Sequence, residues 1–97
     1  MVRITNGKGF QMTFSNGWTV SVQWGIGNYC DHYPSSLRVG EDWDRANRDA
    51  GANGSKTAEI AAWDVEGTWY DFGSDTVKGY VSMDEIAAFI HKVSNFA

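Results

Sequence analysis

The sequence of 97 residues contains one cysteine, one proline and two histidines, and each scarcity removes a class of structure or chemistry. Cys30 alone cannot close an internal disulfide, so the fold has to rest on its core, and a reducing cytoplasmic setting is the simpler expectation. Structural zinc needs four ligands, usually as two close pairs. Cys30-Asp31-His32 offers a single cluster and the other histidine, His91, lies far along the chain, so no metal site and no cofactor are expected. Cys30 and His32 as nucleophile and base would need a spatial pairing that sequence neighbours seldom provide, because their side chains diverge along an extended backbone. Apolar runs fall well short of the roughly 20 residues that cross a bilayer, and no charged-then-apolar leader opens the sequence. Neither a membrane nor export is therefore expected.

Positive charge is also scarce. Lys and Arg number 8 against 12 Asp and Glu, for a net charge of −4. Nucleic acids are held chiefly through Lys and Arg on phosphates, so direct nucleic-acid binding is not expected. The deficit is concentrated: residues 57–97 carry two basic and seven acidic side chains, residues 1–56 six and five. An acidic face of this kind keeps a protein soluble and complements a basic partner.

What the sequence does have is apolar and aromatic bulk. The 42% apolar and 14% aromatic fractions are enough for one core in one domain over residues 1–97. Phe10 to Phe14 and Trp18 to Trp24 alternate apolar and polar residues, the mark of half-buried strands. Between them lies Ser15-Asn16-Gly17. A two-residue Asn-Gly turn would put the two apolar stripes on opposite faces. A three-residue loop pairs Phe14 with Trp18, Met12 with Val20 and Phe10 with Val22, with Gly17 in the left-handed position. The three-residue loop is the one expected.

A second hairpin is expected from Ala58–Asp64, the turn Asp64–Gly67 and a partner strand Thr68–Phe72, with a short fifth strand over Val77–Val81. Ser82-Met-Asp-Glu85 then reads as a capping box, Val81 and Ile86 as a hydrophobic staple, and Ile86, Phe89, Ile90, Val93 and Phe96 as one helical stripe. The expected class is α+β: an antiparallel sheet of four to five strands in two hairpins, packed by one C-terminal helix. Residues 25–57 read as a long central loop, with at most a short helix over Glu41–Ala50, and long loops in compact domains often carry function.

No catalytic set stands out. Gly25-Ile-Gly27-Asn28 follows a strand but lacks the third glycine of a dinucleotide fold and the Gly-Lys-Ser/Thr of a P-loop. Carboxylate pairs such as Asp42/Asp44 or Asp71/Asp75 suit turn capping as well as hydrolysis. The aromatic surplus is more informative. Side chains of Trp69 and Tyr70, adjacent on an extended segment, must leave on opposite faces, so one ring is expected at the surface or under the long central loop. Exposed Trp and Tyr serve protein interfaces or stacking platforms.

The stretch Phe14-Ser-Asn-Gly-Trp-Thr-Val-Ser-Val-Gln-Trp-Gly25, with Asn28-Tyr-Cys30 and Ala58-Glu-Ile-Ala-Ala-Trp63, resembles small accessory proteins encoded by phages and prophages. The resemblance spans about half the chain and brings no catalytic residues. It implies a non-enzymatic protein that binds and inhibits a host defence component, as anti-CRISPR proteins do, in the cytoplasm of an infected bacterium. The expected partner is a protein or ribonucleoprotein complex with a basic surface, met by Tyr29, Tyr33, Glu41, Asp42, Trp43 and Asp44 of the long loop and by Trp69 or Tyr70. The alternative expectation is a nucleotide-sequestering protein, with Gly25, Gly27 and Asn28 at the phosphate and Arg38, Arg45 and Arg48 as clamps. A hydrolase is a third option. A homodimer is expected because a small open sheet leaves edge strands to hide.

Overall fold

The computed structural model describes residues 1–5, 9–24 and 55–97. They form a five-stranded antiparallel sheet in the order of the chain, β1 Val2–Ile4, β2 Gly9–Thr13, β3 Thr19–Gln23, β4 Thr57–Trp63 and β5 Lys78–Ser82, followed by helix α1, Met83–Ser94. The α+β class expected from the sequence is therefore present. So is the register of the first hairpin: Phe10 pairs with Val22, Met12 with Val20 and Thr13 with Thr19. The Phe14 amide donates to the Trp18 carbonyl at 2.9 Å, the Gly17 amide returns to the Phe14 carbonyl at 3.0 Å, and Gly17 has φ 88°. That conformation favours a residue without Cβ, which is why a glycine ends this loop.

Because side chains alternate along a strand, the register sorts the sheet into two faces. Phe10, Val20, Val22, Ala58, Ile60, Ala62 and Val81 share the face covered by α1, which packs across β3, β4 and β5 with Ile86, Phe89 and Val93 buried against them. Burial of each such side chain contributes about 1.5–3 kcal/mol, and this layer is the main source of stability. The opposite face carries Arg3, Gln11, Thr13, Thr19, Ser21, Gln23, Glu59, Ala61 and Trp63.

Ser82 caps α1, its hydroxyl accepting from the Glu85 amide at 3.3 Å, with Asp84 and Glu85 in the first turn and Lys92 in the last, as the helix dipole favours. The reciprocal half of the capping box is absent: Ser82 is the last residue of β5, paired with Thr57, and the Glu85 carboxylate lies 3.4 Å from Lys78 Nζ instead. Ser82→Ala should therefore cost about 1 kcal/mol, the value of a single cap, measured as a shift in urea midpoint at constant m-value.

Two further expectations are corrected. Residues 68–72 do not form a strand; they meet β4 in one bridge, Trp63 to Trp69, made by the bonds from the Tyr70 amide to the Ala62 carbonyl at 2.8 Å and from the Asp64 amide to the Thr68 carbonyl at 2.9 Å. The chain then turns away, with the Phe72 amide on the Asp75 carbonyl and the Asp71 carboxylate accepting from the Gly73 amide. The remaining edge of β4 is taken by β5, whose register shifts between Ala58 and Ile60 and places Tyr80 at φ 55°. The second correction is β1, which the sequence reading did not anticipate. By register Val2 and Ile4 share the face of Met12 and Phe10, but they are 65% and 77% exposed. They are apolar residues that the core does not use.

Candidate functional site

At one end of the sheet two turns and the end of α1 come together. The Asp64 carboxylate accepts from the amides of Glu66 and Thr68, both at 2.9 Å, and Gly67 with φ 83° completes the turn. Gly17 of the first hairpin lies against the Val65 side chain, where an added Cβ would come within 3.2 Å. On its other side that hairpin is tied to the helix: Asn16 Nδ2 donates to the carbonyls of Val93 and Phe96 at 2.9 and 3.1 Å, while its Oδ1 accepts from the Trp18 amide at 3.0 Å.

The extended stretch around the Trp63–Trp69 bridge sends its two adjacent aromatics apart. Tyr70 turns to the helix side, where its ring meets Phe72, Phe89 and Phe96 at 4.9, 5.5 and 5.9 Å and its hydroxyl receives a bond from Lys92 Nζ at 2.9 Å. Trp69 goes to the outer face and packs on Trp63, ring centres 5.0 Å apart at a tilt of 35°. Trp69 remains 46% exposed and Val65 82%. Tyr70 is thus a packing residue, and Trp69 carries the exposed ring that the alternation required.

The charge of the segment that carries Trp69 is of one sign. Residues 64–75 contain Asp64, Glu66, Asp71 and Asp75 and no basic side chain. Their backbone-capping bonds fix three of the four carboxylates: Asp75 also accepts, from the Thr76 amide at 2.7 Å. Exposed Trp69, supported by Trp63, and exposed Val65 thus sit in a segment whose carboxylates are largely held by its own backbone amides. The sequence reading found Trp69; it missed Trp63 and Val65, because only the bridge places Trp63 beneath Trp69.

Elsewhere, a groove of about 350 Å³ lies between α1 and residues 70–72, floored by Ile60, Val81 and Phe89 with Lys78 and Lys92 on its rim. Another of about 300 Å³ lies between Phe10, Trp24, Met83 and Ile86. Among the described residues no group of three or more His, Cys, Asp or Glu is placed to hold a metal ion, and no helix is long and apolar enough to cross a membrane. Tyr29, Tyr33, Glu41, Asp42, Trp43 and Asp44, the glycine loop Gly25, Gly27 and Asn28, the arginines Arg38, Arg45 and Arg48, and Cys30 with His32 lie outside the described residues. No family model matches the sequence, and neither a curated protein nor a solved structure is significantly similar to it.

Proposed function

We propose that this chain is a non-enzymatic binding protein that docks on a basic protein surface through Trp69, in the manner of phage accessory proteins that block a host defence complex. The observation that carries the reading is the exposure of Trp69 and Val65, with Trp69 backed by Trp63, in a segment whose charged residues are Asp64, Glu66, Asp71 and Asp75. A tryptophan already held by a neighbouring ring loses little side-chain freedom on binding, so more of its burial energy reaches the affinity. The carboxylates give orientation and association rate, and suppress binding to acidic surfaces. The phage setting and the bacterial cytoplasm as site of action rest on the sequence resemblance. A homodimer fits the same reading through β1, whose three residues are all exposed at the sheet edge.

The test compares wild-type chain with Trp69→Ala as baits in a bacterial lysate. Trp69→Ala should weaken a stoichiometric wild-type partner by about 2 kcal/mol or more, roughly 30-fold, as expected for an interface anchor. Its association rate should fall with added salt. Equal capture by both baits would remove this patch from the interface.

A further inference from the structure

The outer face holds a second feature, which shares Trp63 with the docking patch but adds residues of its own. Its register lines up Thr13, Thr19 and Trp63 across β2, β3 and β4, with Trp69 beyond, and sets Arg3 opposite Gln11 in the adjacent row. Met1, Arg3, Gln11, Thr13, Thr19 and Trp63 line a cavity of about 240 Å³. Trp69 supports Trp63 from one side, and Trp63 also walls the cavity. The floor is polar: the hydroxyls of Thr13 and Thr19 are 2.9 Å apart and bond to each other. Among the described residues neither Arg3 nor Gln11 makes a side-chain hydrogen bond or ion pair.

We propose that this cavity binds a sugar acid, a single pyranose ring carrying a carboxylate. Four features select that class. An indole wall takes the apolar C–H face of a pyranose, as it takes other flat apolar groups. Threonine hydroxyls and a glutamine amide, which donate and accept, match ring hydroxyls that do the same. A guanidinium pairs with a carboxylate through two parallel bonds, a geometry that a neutral sugar cannot offer. Size sets the limit, because the cavity is smaller than the roughly 300–1,000 Å³ of sites for drug-sized ligands and holds one ring. A nucleotide, with a base, a ribose and a phosphate, demands more room than this cavity offers. Trp63 is common to the cavity and the docking patch, but Arg3 belongs to the cavity alone, so Arg3→Gln tests the ligand site without touching the Trp69 patch.

The experiment titrates the full chain with glucuronate, with glucose as the neutral counterpart and adenosine monophosphate as the nucleotide, and follows the indole N–H signals by NMR. Trp63→Phe assigns the Trp63 signal. Glucuronate at millimolar concentration is expected to move that signal, with affinity about tenfold or more above that of glucose, the worth of one charge-assisted pair. Arg3→Gln, on an exposed edge strand, should leave the rest of the spectrum in place and bring glucuronate down to the level of glucose. The proposal is overturned if neither sugar moves the Trp63 signal, if Arg3→Gln leaves the preference for glucuronate intact, or if the nucleotide binds more tightly than glucuronate.

Discussion

Phe89→Ala is expected to lower the stability of this protein by about 3–5 kcal/mol, the range for deleting a buried phenylalanine. Phe89 is 8% exposed, at the centre of the buried stripe of α1. Its ring lies 5.5 Å from Tyr70 and 5.2 Å from Phe72, and those two lie 4.9 Å from each other. Tyr70 and Phe72 come from a segment joined to the sheet by one bridge, and Phe89, together with the contacts of Tyr70 to Lys92 and Phe96, holds that segment against the helix. Truncation leaves a cavity between three elements and frees the segment that presents Trp69. A domain of this length has a total stability of about 5–15 kcal/mol, so the loss is a large fraction of it. Thermal and urea unfolding followed by circular dichroism measure the effect. Phe89→Leu, which keeps most of the volume, should cost much less. A deficit below about 1 kcal/mol for Phe89→Ala would contradict the packing of helix and aromatic segment on the sheet.

Asn16→Asp is expected to be costly for an electrostatic reason, with almost no change in shape. The amide nitrogen of Asn16 donates to the Val93 carbonyl in the last turn of α1 and to the Phe96 carbonyl just beyond it. Carbonyls in the last turn of a helix lack intrahelical donors and form the negative end of its dipole. A carboxylate in that position retains the bond from the Trp18 amide but sets an anion against two acceptors in a part-buried site. The expected loss is about 2–4 kcal/mol at neutral pH, from two lost hydrogen bonds and an unfavourable charge. Repulsion raises the folded-state pKa of the introduced carboxyl above its unfolded value. The deficit is therefore full above the folded pKa and shrinks as pH falls through it, because the protonated group can donate to one carbonyl. Asn16→Ala lacks this recovery, and the difference between their stability–pH curves is the diagnostic measurement. Parallel curves would mean that Asn16 does not hold hairpin and helix together.

The elements legible in the sequence are those whose signals are local and agree with one another. Alternation in Phe10–Phe14 and Trp18–Trp24 set the faces, a count of loop residues set the register, and Gly17 supplied the one backbone conformation that register needs. Ser82 and the Ile86–Phe89–Val93 spacing likewise defined the start and buried face of α1. Residues 68–72 misled because Trp-Tyr alternation suits a strand and a single bridge equally well. Which of two segments pairs with the rest of β4 is a competition between elements, won by Lys78–Ser82. β1 escaped notice because three residues with exposed side chains carry no pattern of burial.

The same division runs through the candidate sites. Amino-acid content and spacing determined the class of fold, the first hairpin, the capped helix, the acidity of residues 64–75 and the need for Trp69 and Tyr70 to part. Tertiary structure alone decided that Tyr70 faces the core and Trp69 the solvent, that Trp63 supports Trp69, and that Arg3 and Gln11 share a cavity with Trp63. The reason is physical: alternation separates neighbours along the chain, whereas which face is buried, and which distant side chains meet on the other, depends on where the helix lies and how five strands are registered.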